Sequence, residues 1–414
     1  MSEPFSLFPF IGPGHPFLDQ VRGFEAAIRA HPGCRDHVLG QTAGPSVVHA
    51  EIKALPAADG SFRLDRFYWS LQTWEAARGG GFRASTLSYA AKEGQTRWYE
   101  FPEDSYLVHM ERWFARRAAG GEAAVKVLRY VPLRRFTFRM READGREAIG
   151  KFKRRSRYRQ AWDLLVRVER AVAAAGAPFR VSAPLWLDDE HALYAQSVLS
   201  GEDLSGKLDP GNHTGLMRRV GALHCALHGV ALEGLPRVEP AAWLEEARQN
   251  VRWIGWFEPG HALALADAIQ RLARRITGIA AHRPVFCHGD FVCSQILADR
   301  DDWAITDFDL SHLGDPYRDL AILLASLTYD VPLYRSASAS GASGGRALIE
   351  AATEAYLAGY ERALGEPIDR QRLAWHRACA EIYYLALMLK KDRFDRSAFE
   401  RGAALALNLA AAAD

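Results

Sequence analysis

His288-Gly289-Asp290-Phe291-Val292-Cys293-Ser294-Gln295, followed by Ile305-Thr306-Asp307-Phe308-Asp309, is the stretch that decides how this chain is read. It sets an acid, an amide and two further acids around short apolar runs, VFCH, SQILA and WAITDF, which read as small strands holding the polar groups on tight loops. His288-Gly289 can turn the chain sharply, so the Asp290 carboxylate could accept the proton of a hydroxyl. Gln295 could offer an amide oxygen to a hard cation, and Asp307 a carboxylate that bridges metal to phosphate. Phosphoryl transfer asks for such parts, because its loose transition state needs positioning and charge neutralisation more than covalent help.

Outward from this stretch the chain changes character. From Gly201 onward, helices are predicted over 211–229, 239–256, 260–280, 319–329, 345–364, 369–391 and 395–412. The low-complexity run Ser336–Gly345 reads as a flexible surface loop. Before Gly201, VKVLRYV, RRFTFRMRE and REAIGKFK alternate apolar and polar residues and predict a three-stranded meander with turns at Pro132 and Asp144-Gly145. A helix over 155–175 and two more strands, PLWL and ALYAQSVL, complete a βββαββ lobe. Earlier still, a helix over 15–31 precedes four β-rich segments, SVVHAEIKAL, FRLDRFYWSLQTW, ASTLSYAAK and TRWYEF, with turn clusters at Ala58-Asp59-Gly60 and Gly79-Gly80-Gly81. The resulting division is a helix-on-sheet domain over 1–103, a linker helix over 104–121 ending in Gly120-Gly121, a lobe over 122–200 and a helical lobe over 201–414.

Bulk properties agree with a globular chain. Its 414 residues suffice for two or three domains, and 49% hydrophobic content supports their cores. A net charge of +2 gives no electrostatic case for nucleic acid or an acidic membrane as the main partner. The five cysteines are scattered without a CxxC pair, which fits a reducing compartment. The opening MSEPFSLFPFIGPGHP has no basic n-region or long apolar run, and later apolar runs are too short to span a bilayer, so a cytoplasmic location is expected.

HGDFVCSQIL, ITDFDLSHLGDPYRDLA and the upstream GREAIGKFKR together resemble the aminoglycoside phosphotransferase and choline kinase-like superfamily over roughly residues 122–414. The resemblance implies an α+β, protein-kinase-like two-lobed fold, here with an additional N-terminal α+β domain. It implies ATP and Mg²⁺ as cofactors, Asp290 as the catalytic base, His288 as the brace of its loop, and Gln295 and Asp307 as metal ligands. Asp309 is either a further ligand or the partner of a nearby arginine. Asp319 would hold the fold together. Lys151 is the choice for the phosphate-binding lysine, with Lys153 on the same strand face as its competitor; Glu169 is its candidate orienting carboxylate. Gln196 and Val198 fall where this family's hinge meets adenine. No GxGxxG precedes Lys151, a departure from eukaryotic-type protein kinases rather than from ATP binding.

Gln295 departs from the usual Asn: it keeps the ligand oxygen but extends its reach, which leaves open a regulatory pseudokinase beside the active enzyme. Bacterial maltokinases look similar at this position and also carry a helix-on-sheet domain ahead of the kinase lobes. The implied partner is a small hydroxyl compound, a sugar, amino sugar or related alcohol, with a protein partner or dimer contact as a further role for residues 1–103. His224 and His228 share a helical face, but no carboxylate or cysteine completes them at a suitable spacing, so they read as core histidines. Cys287 and Cys293 read as buried small hydrophobes. The run Phe67–Leu71 reads as the core face of its sheet, against the alternative of a sugar-stacking platform.

Overall fold

The computed structural model describes residues 7–8, 10–11, 14–39, 45–56, 62–74, 81–120, 125–142, 144–279, 283–339, 343–391 and 394–413. The chain packs as two compact units, one of Met1–Trp162, Pro184–Val198 and Met388–Phe394, the other of Asp163–Ala183, Leu199–Leu387 and Asp395–Asp414.

In the first unit, helix α1 (Leu18–Ala30) precedes an antiparallel meander, β1 (Ser46–Pro56), β2 (Phe62–Trp74), β3 (Phe82–Ala90) and β4 (Gln95–Glu100), in the order β1-β2-β3-β4. Val21, Phe24 and Ile28 recur at helical spacing and are buried, with Phe24 stacked on Phe67 at 4.1 Å. Phe67, Tyr68, Trp69, Ser70 and Leu71 are all buried, so this aromatic run is core. The strands fall on the four β-rich segments of the sequence. The Ala58-Asp59-Gly60 cluster, Gly79-Gly80 and Gly121 lie outside the described residues.

Helix α2 (Met110–Ala119) leads into a five-stranded sheet of β5 (Lys126–Val131), β6 (Arg135–Arg141), β7 (Glu147–Lys153), β8 (Pro184–Asp188) and β9 (Leu193–Ser197), ordered β5-β6-β7-β9-β8. One face of it builds a core of Phe136, Phe138, Ala148, Phe152, Leu193 and Ala195 with Met110 and Trp113 of α2. Asp104, almost fully buried, organises one corner. It accepts hydrogen bonds from the Tyr106 and Leu107 N–H groups (2.9 and 3.1 Å), the Tyr130 hydroxyl (2.8 Å) and the Leu133 N–H (2.8 Å). That last bond pins the β5–β6 turn, where Leu133 stands at φ 62° without a glycine to relieve it.

Helix α3 (Tyr158–Ala174) crosses the division between the units at Trp162. The second unit is mostly helical: α4 (His213–His228), α5 (Pro240–Phe257), α6 (Pro259–Arg274), α7 (Pro316–Asp330), α8 (Pro332–Ala339), α9 (Ser343–Leu364), α10 (Arg370–Lys390) and α11 (Arg396–Ala412). Two small sheets accompany them: β10 (Glu202–Asp203), β13 (Ile296–Asp299) and β14 (Asp302–Ile305) form one, and β11 (Arg237–Val238), β15 (His312–Gly314) and β12 (Val285–Cys287) the other. Helices α4 and α9 cross so closely that a Cβ on Gly359 would stand 1.9 Å from the Arg218 carbonyl oxygen. The predicted loop over 336–345 needs correction, because helix runs to Ala339 and resumes at Ser343, with 340–342 outside the described residues. Ser and Ala alternate in that run, and alanine's helix propensity outweighs the loop signal of the serines.

Candidate active site

The loop after β12 is built around Asp319, on the first turn of α7 and fully buried. Its carboxylate accepts the backbone N–H of His288 at 2.5 Å and that of Gly289 at 2.9 Å. The His288 ring continues the bracing: Nε2 bonds the Thr306 carbonyl oxygen at 2.9 Å, and Nδ1 accepts the Asp290 N–H at 3.3 Å. This pair of bonds sets the proton on Nε2. Gly289 adopts φ 83°, and a Cβ there would lie 2.2 Å from the Leu310 carbonyl oxygen. The loop that carries Asp290 therefore rests against the turn that carries Asp307 and Asp309. Asp290 itself is half-buried.

Gln295 and Thr306 flank the β13–β14 hairpin, whose register pairs Ile296 with Ile305. The Thr306 N–H bonds the Gln295 carbonyl oxygen at 2.9 Å, and the Thr306 hydroxyl donates toward the Gln295 Oε1 at 3.1 Å. The amide oxygen thus faces the residue just before Asp307. Asp307 stands in the left-handed region at φ 65°, a strained position for an acid, and opens the short turn Phe308–Leu310 on which Asp309 is exposed. Carboxylate and amide oxygens are the donor type that Mg²⁺ takes.

The Asp290 charge reaches two tyrosines of α10. Burial, with Asp290 and Glu246 adding to it, pushes the Tyr383 phenol up to about 12. Tyr384 is raised well above its ordinary value by burial and by Asp330 and Asp290. Sequence spacing carries no sign of these tyrosines, nor of the Thr306 hydroxyl as partner to Gln295, because each meets the loop only through the fold.

In the first unit, Lys151 is half-buried on the face of β7 opposite the aromatic core, paired with Thr137 on β6 and Tyr194 on β9. Lys153 shares that face but is largely buried. Gln196 lies opposite Ile149 on the same face, and Val198 follows the end of β9. Glu169 sits on the stretch of α3 that belongs to the second unit.

The reading of His224 and His228 as core histidines holds, and one part of it needs correction. Both are buried, but a carboxylate does complete them: Asp319 Oδ2 lies 3.6 Å from each Nε2. It comes from α7, far along the chain, where no spacing rule reaches. Cys287 and Cys293 are buried, and burial raises both thiols, Cys293 to about 12, as befits core residues.

A mixed helix and antiparallel-sheet fold with an HGD loop braced against a DFD turn defines a kinase-like phosphotransferase. The sequence model of the phosphotransferase enzyme family matches residues 133–376. The chain belongs to that family. Among solved structures, it resembles an amicoumacin kinase in complex with AMP-PNP, Ca²⁺ and Ami, at 15% identity, TM-score 0.50, and coverage of 72% of this chain and 93% of that one. It also resembles a putative aminoglycoside phosphotransferase from Ralstonia eutropha JMP134 (17% identity, TM-score 0.48, 74% and 97% covered). A choline/ethanolamine kinase family protein from Mesorhizobium loti is similar too (17% identity, TM-score 0.46, 74% and 99% covered). Comparison with curated proteins returned no significant match. No helix among the described residues is long and apolar enough to cross a membrane.

Proposed function

We propose that the chain transfers the γ-phosphoryl group of ATP to a hydroxyl of a small molecule, a sugar, amino sugar or related alcohol. The observation that carries this reading is the joint bracing of two loops: Asp319 and His288 fix the Asp290 loop, and Gly289 seats it on the turn of Asp307 and Asp309. In this reading the proposed base and the acids of the turn would share one support, which is what phosphoryl transfer needs most.

In this reading Asp290 takes the proton of the acceptor hydroxyl as the phosphoryl group moves. Gln295, Asp307 and Asp309 would hold Mg²⁺, which when bound neutralises charge on the β- and γ-phosphates. Lys151 is assigned the α- and β-phosphates, Glu169 the orientation of that lysine, and Gln196 and Val198 the adenine edge. We place the reaction in the cytoplasm and assign residues 1–103 to a cap that governs substrate access or meets a protein partner. The division into a linker helix over 104–121 and lobes over 122–200 and 201–414 belongs to this proposal.

One observation bears on the regulatory alternative: the Thr306 hydroxyl, whose single proton is within reach of the Gln295 Oε1 at 3.1 Å and of its carbonyl oxygen at 3.2 Å, turns the amide oxygen toward Thr306 and leaves it one lone pair for a metal. Thermal unfolding with ATP, with and without Mg²⁺, separates the two, since a working site gains metal-dependent stabilisation. A coupled assay of ATP consumption against sugars, aminoglycosides and amino alcohols then identifies the acceptor; no turnover with any of them supports the regulatory protein.

A further inference from the structure

His224 and His228 stand one turn apart on α4 and point at the same atom, Asp319 Oδ2, at 3.6 Å each. The three ligand atoms lie within 4.8 Å of one another, and the residues are only 0%, 8% and 0% exposed. At 3.6 Å the contacts exceed hydrogen-bond reach, and neither Nε2 has a hydrogen-bond partner despite complete burial of the atom. The other nitrogen of each ring is fixed from outside: His224 Nδ1 pairs with the Tyr356 hydroxyl at 2.6 Å and His228 Nδ1 with the Tyr360 hydroxyl at 2.8 Å.

This is the donor chemistry of a transition-metal site. Two imidazole nitrogens and a carboxylate oxygen form a zinc-type set, and metal-bound imidazoles characteristically have the second nitrogen hydrogen-bonded to an oriented partner, as with the two tyrosines. Ligand bonds of about 2.0–2.2 Å in a tetrahedron place neighbouring donor atoms roughly 3.3–3.5 Å apart, close to the 3.6 Å that separates each Nε2 from Asp319 Oδ2. The charge also fits. Asp319 receives the N–H groups of His288 and Gly289, one on each oxygen, which leave a lone pair free on Oδ2 and do not cancel its negative charge inside the core.

We propose that His224, His228 and Asp319 bind one divalent transition-metal ion of the zinc class behind the loop that carries Asp290. The ion is separate from the oxygen-donor set of Gln295, Asp307 and Asp309, and its binding does not depend on phosphoryl transfer by the chain. Its role is structural: it ties α4 and α7 together at the carboxylate that holds the His288–Gly289 backbone.

The test uses the full chain purified from zinc-supplemented medium. Metal content is measured by mass spectrometry after desalting, and thermal unfolding is followed with a chelator selective for zinc over magnesium. About one zinc per chain is expected, with a melting temperature that falls by several degrees on chelation and recovers on adding Zn²⁺. The His224→Gln/His228→Gln variant should lose both the metal and the response to the chelator. Should that variant fail to fold, Co²⁺ loaded into the wild-type chain should give the visible absorption of a tetrahedral site. Zinc well below one per chain with a melting temperature indifferent to chelator and Zn²⁺ overturns the proposal. It would leave two Nε2–H groups facing Asp319. Metal that persists in the folded double variant overturns it equally.

Discussion

Replacing Gly289 by alanine probes the contact on which the site rests. Two penalties add at this position. The φ of 83° costs an L-residue with a Cβ about 1–2 kcal/mol. The new Cβ would also stand 2.2 Å from the Leu310 carbonyl oxygen and 2.8 Å from its carbon, against a normal carbon–oxygen approach of roughly 3.3–3.6 Å. Both neighbours are backbone, so no side chain can swing aside, and the Asp290 loop must move by about 1 Å from the Asp307–Asp309 turn. A displacement of that size costs on the order of 100-fold in rate when it misplaces reacting groups, or about 2.7 kcal/mol at 1.36 kcal/mol per tenfold. Turnover of ATP with its acceptor should fall by about that factor, while the melting temperature drops by only a few degrees. Gly23→Ala is the control, because Gly23 lies exposed within α1 with nothing within 4 Å of a new Cβ; it should stabilise the helix by roughly 0.5–1 kcal/mol and leave turnover alone. Unchanged turnover in Gly289→Ala would refute the close seating of the two loops.

Gln295→Ala should raise the Mg²⁺ concentration needed for half-maximal turnover by about tenfold or more, while the lost bond from Thr306 costs about 0.5–1.5 kcal/mol of stability in urea unfolding. An unaltered Mg²⁺ requirement would remove Gln295 from the ligand set. Arg372→Ala breaks a buried cluster in which Asp315 bonds Arg372 and, at 3.0 Å, His376, and should destabilise the second unit by roughly 3–5 kcal/mol at neutral pH. Burial alone would raise the Asp315 pKa, but His376 and Arg372 outweigh it and hold the carboxyl well below the usual range. A depressed carboxylate contributes stability that is present above the unfolded value of about 3.9 and is lost as pH falls through the folded one. The gap between wild type and Arg372→Ala should therefore narrow as unfolding is measured below about pH 4; a gap that widens would contradict the assignment.

Local patterns carried most of the fold. The β-rich composition of FRLDRFYWSLQTW marked β2 to the residue, and the periodic helices after Gly201 fell close to their bounds, since one buried face leaves its period in the sequence. Pro332–Ala339 escaped because its first half offers only Leu333 and Tyr334 as large apolar positions, too few to show a period, and its second half alternates Ser and Ala. The polar residues of the candidate site were legible as types at fixed order, and His288 does brace the loop through its two ring nitrogens. What supports them was not: Asp319 meets His224 and His228, and Thr306 meets Gln295, through tertiary packing that no local spacing encodes. Asp104 is the same case in the first unit, an acid of an apparent junction whose burial is set by strands that follow it.

The most direct test of the proposed reaction is turnover in Asp290→Asn, measured as ATP consumed with the acceptor that the panel identifies. The side chain keeps its shape and loses only its basicity, so turnover should fall by about 10²–10⁴-fold. Stabilisation of the variant by ATP and Mg²⁺ should persist, because Asp290 is not assigned to the nucleotide. Turnover within a few-fold of wild type would show that Asp290 is not the base, and phosphoryl transfer by the proposed mechanism would be contradicted.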